Sequence, residues 1–226
     1  MSKSIDVVAI DGPSASGKST VAKRVAAALG RVYADSGSLY RGITWHALRV
    51  RVEPSDRDQV VSLLSATDMA FFVESDAVCF RIGGVRPIAE LRAVSVREQV
   101  SPMAAIPEVR GFVTERLRSL TRFGPLVMEG RDIGSVVFPA ARYKFYLDAS
   151  AEERARRRQA DLNRQNERRA VGDVLASLKR RDTRDSSRPD APLKVADGAE
   201  IIDSTNLSVD EVVARVVTTV RQDKRG

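Results

Sequence analysis

Apolar residues run almost unbroken from Ile5 to Ile10, with Asp6 the only interruption, which fits a strand buried on both faces. Asp11 to Ser16 is rich in glycine, proline and serine and must turn. From Lys18 the period changes: Val21, Ala22, Val25, Ala28 and Leu29 recur at helical spacing, and Gly30 supplies a helix stop. Arg31 to Asp35 reads as a short second strand, followed by a helix through Leu39, Ile43 and Leu48. Ser55 with Asp58 has the spacing of a capping box, opening a helix to about Ser65. The pattern then breaks into short strand-like pieces, Ala70–Val73, Val78–Ile82 and Val85–Leu91, separated by Ser75-Asp76 and Gly83-Gly84. These are hairpin signals, and they predict a small antiparallel insert.

Helical periodicity returns at Pro107 and runs through Val109, Phe112, Val113 and Leu117 to about Arg122. Leu126–Met128 and Tyr143–Leu147 read as strands. Ser150 with Glu153 opens an arginine-rich helix, and another helix covers about Asp173 to Asp185 before Pro189 and Pro192 break the chain. Ile201-Ile202 is a last short strand, and Ser208 with Glu211 caps a helix built on Val209, Val212, Val213, Val216, Val217 and Val220. Strands alternating with helices predict an α/β fold with a central parallel sheet covered on both faces, a three-layer α/β/α arrangement.

Composition narrows the setting. The 226 residues, 43% hydrophobic and 30% charged, describe an ordinary globular chain with room for one sizeable core. No apolar run reaches the roughly 20 residues of a membrane helix, and Met1 to Ile10 lacks the anatomy of a signal peptide. A lone Cys79 excludes an internal disulfide and a cysteine metal site, so the cytoplasm is the expected compartment. The net charge of +7 calls for anionic partners, either nucleic acid or phosphorylated small molecules. Arginines gather at Arg154 to Arg158, Arg164 to Arg169 and Arg180 to Arg188, where solvated helix faces are the plain alternative. Aromatic residues at 5% argue against a surface for stacking single strands. His46 and Cys79 read as structural.

The chemistry begins at residues 12 to 19, Gly-Pro-Ser-Ala-Ser-Gly-Lys-Ser, which match G-x-x-x-x-G-K-[ST] at every fixed position. Gly12 and Gly17 let the backbone N–H groups of the loop between them turn inward around a phosphate, and the helix starting near Lys18 offers its free N–H groups and positive dipole end. Lys18 can reach the β/γ oxygens, and the Ser19 hydroxyl can ligate Mg²⁺. The motif lies between a strand pattern and a helix pattern, the context that gives it meaning. By itself it leaves open a kinase, a switch GTPase or a motor.

Five passages in order resemble the bacterial cytidylate kinase family nearly end to end: AIDGPSASGKST (9–20), ADSGSLYR (34–41), EGRDIGSVVFP (129–139), LDASAEERARRR (147–158) and KRRDTRDSSR (179–188). The resemblance implies a P-loop kinase of one domain. Its core would cover about 1–39, 101–150 and 189–226, a monophosphate-binding region with the β insert about 40–100, and a helical lid with the following helix about 151–188. It implies an ATP site at Gly12, Pro13, Ser14, Ala15, Ser16, Gly17, Lys18, Ser19 and Thr20, with Mg²⁺ accompanying ATP. It places Ser36, Tyr40, Arg41 and Arg131 near the acceptor phosphate, and Ser101, Arg110 and Asp132 around the base. Arg181, Asp185 and Arg188 would meet the ribose and phosphate of CMP, with Lys18, Arg131 and Arg188 catalytic, and Arg154, Arg157 and Arg158 would belong to a lid closing over ATP. The expected partners are ATP with CMP or dCMP, with no nucleic acid, no membrane and a monomeric chain. Ser36 stands where the family usually has threonine, and Asn163 to Gly172 departs most from its pattern.

The residue types agree with these roles on chemical grounds. A carboxylate such as Asp132 accepts from the exocyclic amine of cytosine, and Arg110 can donate to the ring acceptors. On one helix Arg181 and Asp185 are four apart and Arg188 seven from the first, so all three share a face if the helix reaches that far; Pro189 argues that it ends earlier. The plain alternative for Arg181 and Asp185 is a surface ion pair worth about 0.3–0.5 kcal/mol. Asp35 and Glu129, near strand ends, could lie in the outer shell of the ion. Two rivals remain at this point: a P-loop kinase of a hydroxyl metabolite, which would need a positioned base, and a nucleotide switch or nucleic-acid motor.

Overall fold

The structure, a computed structural model, describes residues 6–164, 167 and 170–222. Ile5 and the arginines at 168 and 169 lie outside the described residues. Strands β1 (Val7–Asp11), β2 (Val32–Asp35), β3 (Met69–Glu74), β4 (Ala77–Ile82), β5 (Leu126–Gly130), β6 (Tyr143–Asp148) and β7 (Glu200–Asp203) form one sheet in the order β3-β4-β2-β5-β1-β6-β7. From β2 through β7 all neighbours are parallel. The helices are α1 (Lys18–Leu29), α2 (Ser36–Arg49), α3 (Arg57–Ala66), α4 (Val94–Met103), α5 (Pro107–Ser119), α6 (Ala151–Arg164), α7 (Val171–Ser186) and α8 (Val209–Gln222).

The unbroken apolar run of β1 is explained by what covers it. Val7 and Ala9 enter a core shared with α2, α3, α4 and α5, whereas Val8 and Ile10 enter a second core with α1 and α8. A strand with helices on both faces has no polar side to alternate with. Helices α6 and α7 carry a separate small core, Ala155, Leu162, Val174 and Leu178, against which Ala15 of the loop after β1 packs. Gly30 closes α1 in the left-handed region at φ 61° and donates its N–H to Ala26 and Ala27. Ser208 and Glu211 form a reciprocal capping box before α8, each backbone N–H meeting the other's side chain. At α6 only half the box forms: Glu153 N–H donates to Ser150 Oγ at 3.2 Å, while the Glu153 carboxylate turns to Arg156 and Arg157.

Several expectations need correction. The cap of α3 is Asp56 rather than Ser55: its carboxylate takes the Gln59 backbone N–H at 3.0 Å and the Gln59 side-chain amide at 2.5 Å. An anionic cap one residue later uses the helix dipole better than the Ser55–Asp58 pairing. The antiparallel insert is present as expected, as the β3–β4 hairpin, and the Tyr33–Ala77 pair joins it to the edge of the parallel sheet. The third piece, Val85–Leu91, is not a strand. Gly83 and Gly84 turn with φ 54° and 77°, Val85 makes a single bridge to Ile82, and Pro87 lacks the N–H a ladder needs. Helix α4, with Val96, Val100 and Met103 buried, was not anticipated. His46 lies on α2 beside Trp45, and Cys79 lies on β4, half-buried, 3.3 Å from Arg86 Nη2.

Candidate active site

The loop from Gly12 to Gly17 leaves β1 at the carboxyl edge of the sheet, where α/β folds bind ligands. Gly12 has φ 149°, and a Cβ there would sit 2.1 Å from the Leu147 carbonyl oxygen, so no side chain fits. Gly17, at φ 92°, precedes α1 and supplies no side-chain cap, which leaves the helix N–H groups open to an anion. Lys18 is 5% exposed, and its Nζ donates to Pro13 O at 2.5 Å and to Ser16 Oγ at 3.3 Å. Burial, then the neighbouring Arg131, pushes the Lys18 pKa well below the ordinary lysine value, against the pull of Glu129 and Asp11. Such an ammonium is short of negative charge, which an anion entering the loop would supply.

Ser19 and Thr20 are exposed at the start of α1. Ser19 hydrogen-bonds Glu129, which also accepts from the Tyr33 hydroxyl at 2.5 Å. Burial first, then Asp35 on the adjacent strand, raises the Glu129 pKa. Asp35 itself caps α2 through Ser38 N–H at 3.1 Å and pairs with Arg41 at 2.7 Å. No cluster of three or more His, Cys, Asp or Glu that could hold a metal occurs among the described residues. An exposed hydroxyl beside a carboxylate is an all-oxygen set suited to a hard cation that brings most of its ligands as water and phosphate.

Across the cleft, α5 and the turn after β5 bring Arg110 and Asp132 together as an ion pair, the residues 3% and 4% exposed. Arg110 also lies 3.5 Å from Asp190 and 5.7 Å from the centre of the Tyr40 ring. Burial raises the Asp132 pKa, and Arg110 then Arg188 oppose the rise. Arg131 donates from Nε to Asp185 at 3.1 Å and from Nη2 to Ser14 Oγ at 2.8 Å, so it already spans the two halves of the cleft. Arg181 lines the cleft as an exposed residue of α7. Asp185, 6% exposed, pairs with Arg131 rather than standing as half of an isolated surface pair. Arg188 lies beyond the end of α7, as Pro189 foretold, yet its guanidinium returns to within 3.9 Å of Asp185 and donates to Ala191 O at 3.0 Å. Ser36 opens α2 and is 4% exposed, and Ser101 keeps a buried Oγ without a hydrogen-bond partner.

Every site residue expected from the sequence except Gly12, Pro13 and Arg154 lines one cleft of about 900 Å³. Arg154 is buried instead: it donates to Ala149 O at 3.0 Å and Ser14 O at 3.3 Å and pairs with Asp182, whose other oxygen accepts from Ser14 N–H at 3.2 Å. It braces the loop from behind. Arg157 ties Ser16 O at 3.2 Å to Ser204 O at 2.6 Å and to Glu153, whose pKa Arg156 and Arg157 hold near 2. Arg158 lines the cleft. Sequence reasoning missed Asp182, three residues before Asp185 on α7, and Arg97 on α4, which pairs with Glu167 at 2.7 Å. It also missed Asp11, whose carboxylate ends an otherwise apolar strand.

The family model described as Cytidylate kinase matches residues 8–222. The chain is 39% identical over 219 residues to "Cytidylate kinase" of Caldanaerobacter subterraneus subsp. tengcongensis, covering 97% of this chain and 96% of that one. It is 40% identical over 216 residues to "Cytidylate kinase" of Pasteurella multocida, covering 96% and 95% respectively. Among solved structures it is similar to shikimate kinase from Acinetobacter baumannii in complex with shikimate, at TM-score 0.49 and 16% identity over 98% of this chain and 96% of that one.

Proposed function

The chain belongs to the cytidylate kinase family, and from that premise we propose how its residues transfer the γ-phosphate of ATP to CMP or dCMP, giving CDP or dCDP and ADP. The observation that carries the assignment of roles is the buried Arg110–Asp132 pair opening onto the same cleft as Lys18 and Arg131. A carboxylate beside a guanidinium matches the amino donor and ring acceptors of cytosine. Uracil offers a carbonyl where cytosine has its amine, and Asp132 would meet it with like polarity.

No general base is required. The second pKa of a phosphate monoester is about 6, so the attacking oxygen of CMP is ionised near neutrality. What remains is to hold two polyanions in line and stabilise charge on the transferring group. Arg131, Arg181, Arg188 and Arg41 serve the acceptor phosphate, with Ser36 and Tyr40 shaping its seat and Asp185 orienting Arg131. The loop from Gly12 to Ser19, with Thr20, holds the ATP phosphates, and Lys18 follows the β/γ oxygens. Ser19, with Glu129 behind it, would hold Mg²⁺, which would supply positive charge to the ATP phosphates. Arg157 and Arg158 lie on α6, whose closure over the nucleotide excludes water, the competing acceptor.

The division into core, monophosphate-binding region and lid at about 40–100 and 151–188 belongs to this reading, as do a monomeric state, a cytoplasmic setting and the absence of a nucleic-acid partner. No helix among the described residues is long and apolar enough to cross a membrane. The test is ADP production from ATP and Mg²⁺ with each nucleoside monophosphate in turn. Strong turnover with CMP and dCMP, weak with UMP and negligible with AMP and GMP is expected, with loss of turnover on chelation. Equal use of all acceptors would contradict the assigned base contacts.

A further inference from the structure

Asp11 is a buried carboxylate that no step above uses. It ends β1, one residue before Gly12, is 3% exposed, and pairs in register with Gly130 of β5. A charge held there is unfavourable unless something specific offsets its desolvation. Burial raises its pKa to about 6, and the chief opposing influence is a pair of backbone donors. Oδ1 accepts from Ile133 N–H at 2.9 Å and Oδ2 from Gly134 N–H at 2.7 Å. These two N–H groups begin the turn Ile133–Val137, directly after Arg131 and Asp132.

The consequence is geometric. The Ile133 N–H lies in the peptide plane that also carries the Asp132 carbonyl, so fixing it fixes ψ of Asp132, which is 23°. The other side of that plane is held by Val136 and Val137 N–H, which donate to Asp132 O at 2.9 and 3.1 Å. Neighbouring Gly130 leaves no slack, since a Cβ there would lie 2.5 Å from Ser36 Oγ and 2.7 Å from the Ile133 side chain. Of the groups that hold this plane, only Asp11 belongs to the strand that feeds the phosphate loop.

We propose that Asp11 is a positioning residue for base selection: by holding the Ile133 and Gly134 amides it aims Asp132, so the preference for cytosine over uracil depends on a side chain that touches no nucleotide. The inference rests on the reading that Asp132 meets the cytosine amine. It also links the two sides of the cleft, because the last residue of the strand before the phosphate loop sets the turn that reads the acceptor.

Asp11→Asn tests it. The amide matches the carboxylate in shape but offers one acceptor where two donors wait, so one bond is lost and the turn relaxes. Loss of a hydrogen bond to a charged group translates to a fall of about tenfold or more in the ratio of kcat/KM for CMP to kcat/KM for UMP. KM for ATP is expected to stay at the wild-type value. Asp11→Ser, which keeps a single small acceptor, should move the ratio the same way, and it serves if Asp11→Asn does not fold by its thermal melt. Asp132→Ala, measured in parallel, should collapse the ratio as well. If Asp132→Ala leaves the ratio unchanged, the base-reading assignment falls and the inference falls with it. If Asp132→Ala collapses the ratio while both Asp11 variants keep it, or lower CMP and UMP turnover by the same factor, Asp11 is a core carboxylate only and the inference is overturned.

Discussion

Consider the Arg110–Asp132 pair under substitution. Both side chains are nearly inaccessible, at 3% and 5%, so Asp132→Ala leaves a guanidinium in the protein interior. Breaking a buried pair in this way costs about 3–5 kcal/mol, because the remaining charge stays desolvated. Asp190, 3.5 Å from Arg110 Nε and half-exposed, offsets part of that, which places the expected cost at the lower end. For a chain of this length about 3 kcal/mol corresponds to a fall in Tm of roughly 6–12 °C. Replacing both partners by apolar residues of similar size removes the charge as well as the bond, and such replacements are often neutral or stabilising. Arg110→Met with Asp132→Leu should therefore recover most of the lost Tm, while CMP turnover stays low, about 100-fold or more below wild type in kcat/KM. Thermal melts of the two single variants and the double variant, alongside a coupled ADP assay with CMP, give the full cycle. A double variant that phosphorylates CMP normally would refute the role of the pair in reading the base. A single variant that melts with wild type would refute its desolvation.

Other consequences can be checked separately. Gly12→Ala should fail to bind ATP and melt several degrees lower, because its Cβ would lie 2.1 Å from the Leu147 carbonyl; normal ATP affinity by calorimetry would contradict the loop geometry. Lys18→Met should keep the fold by circular dichroism and lower kcat by about 10²–10³-fold, the scale of losing one preorganised cationic donor. Asp11 gives a pH signature whose sign is opposite to that of a salt-bridged carboxylate. Its folded pKa of about 6 lies above the unfolded range, so between about 4 and 6 the folded chain binds the extra proton. Stability from this group is fully present at low pH and is lost as pH rises through about 6. The Tm of wild type relative to Asp11→Asn should fall over that window, and a rise would contradict the assignment.

How much of this was legible beforehand depends on whether the signal was local. The phosphate loop was readable because glycine positions, Lys18 and Ser19 have fixed spacing and sit between a strand run and a helix period. The strand alternation gave the parallel sheet, and Val209 to Val220 marked α8 by period alone. Helix α4 was hidden because its apolar residues Val96, Val100 and Met103 are sparse among polar ones and Pro102 lies inside it. The Val85–Leu91 run looked like a strand from composition, but pairing is a tertiary fact, and Pro87 removes a donor at the place a ladder would need one. Within the site, Arg110 and Asp132 were assigned through resemblance, whereas their contact across 22 residues comes only from packing α5 against the turn after β5. Arg154 shows the converse. Its arginine-rich helix face reads as solvated or lid-like, yet the side chain is enclosed by Ser14, Ala149 and Asp182, contacts that no helical period encodes.

Direct transfer between two bound nucleotides can be followed with γ-labelled ATP, Mg²⁺ and CMP, separating the products at early times. Label appearing in CDP, stoichiometric with ADP and absent when CMP is omitted, is the expected outcome. Label released as inorganic phosphate at a rate that CMP does not change would show that water is the acceptor, and the arginine-lined half of the cleft would have to be read anew.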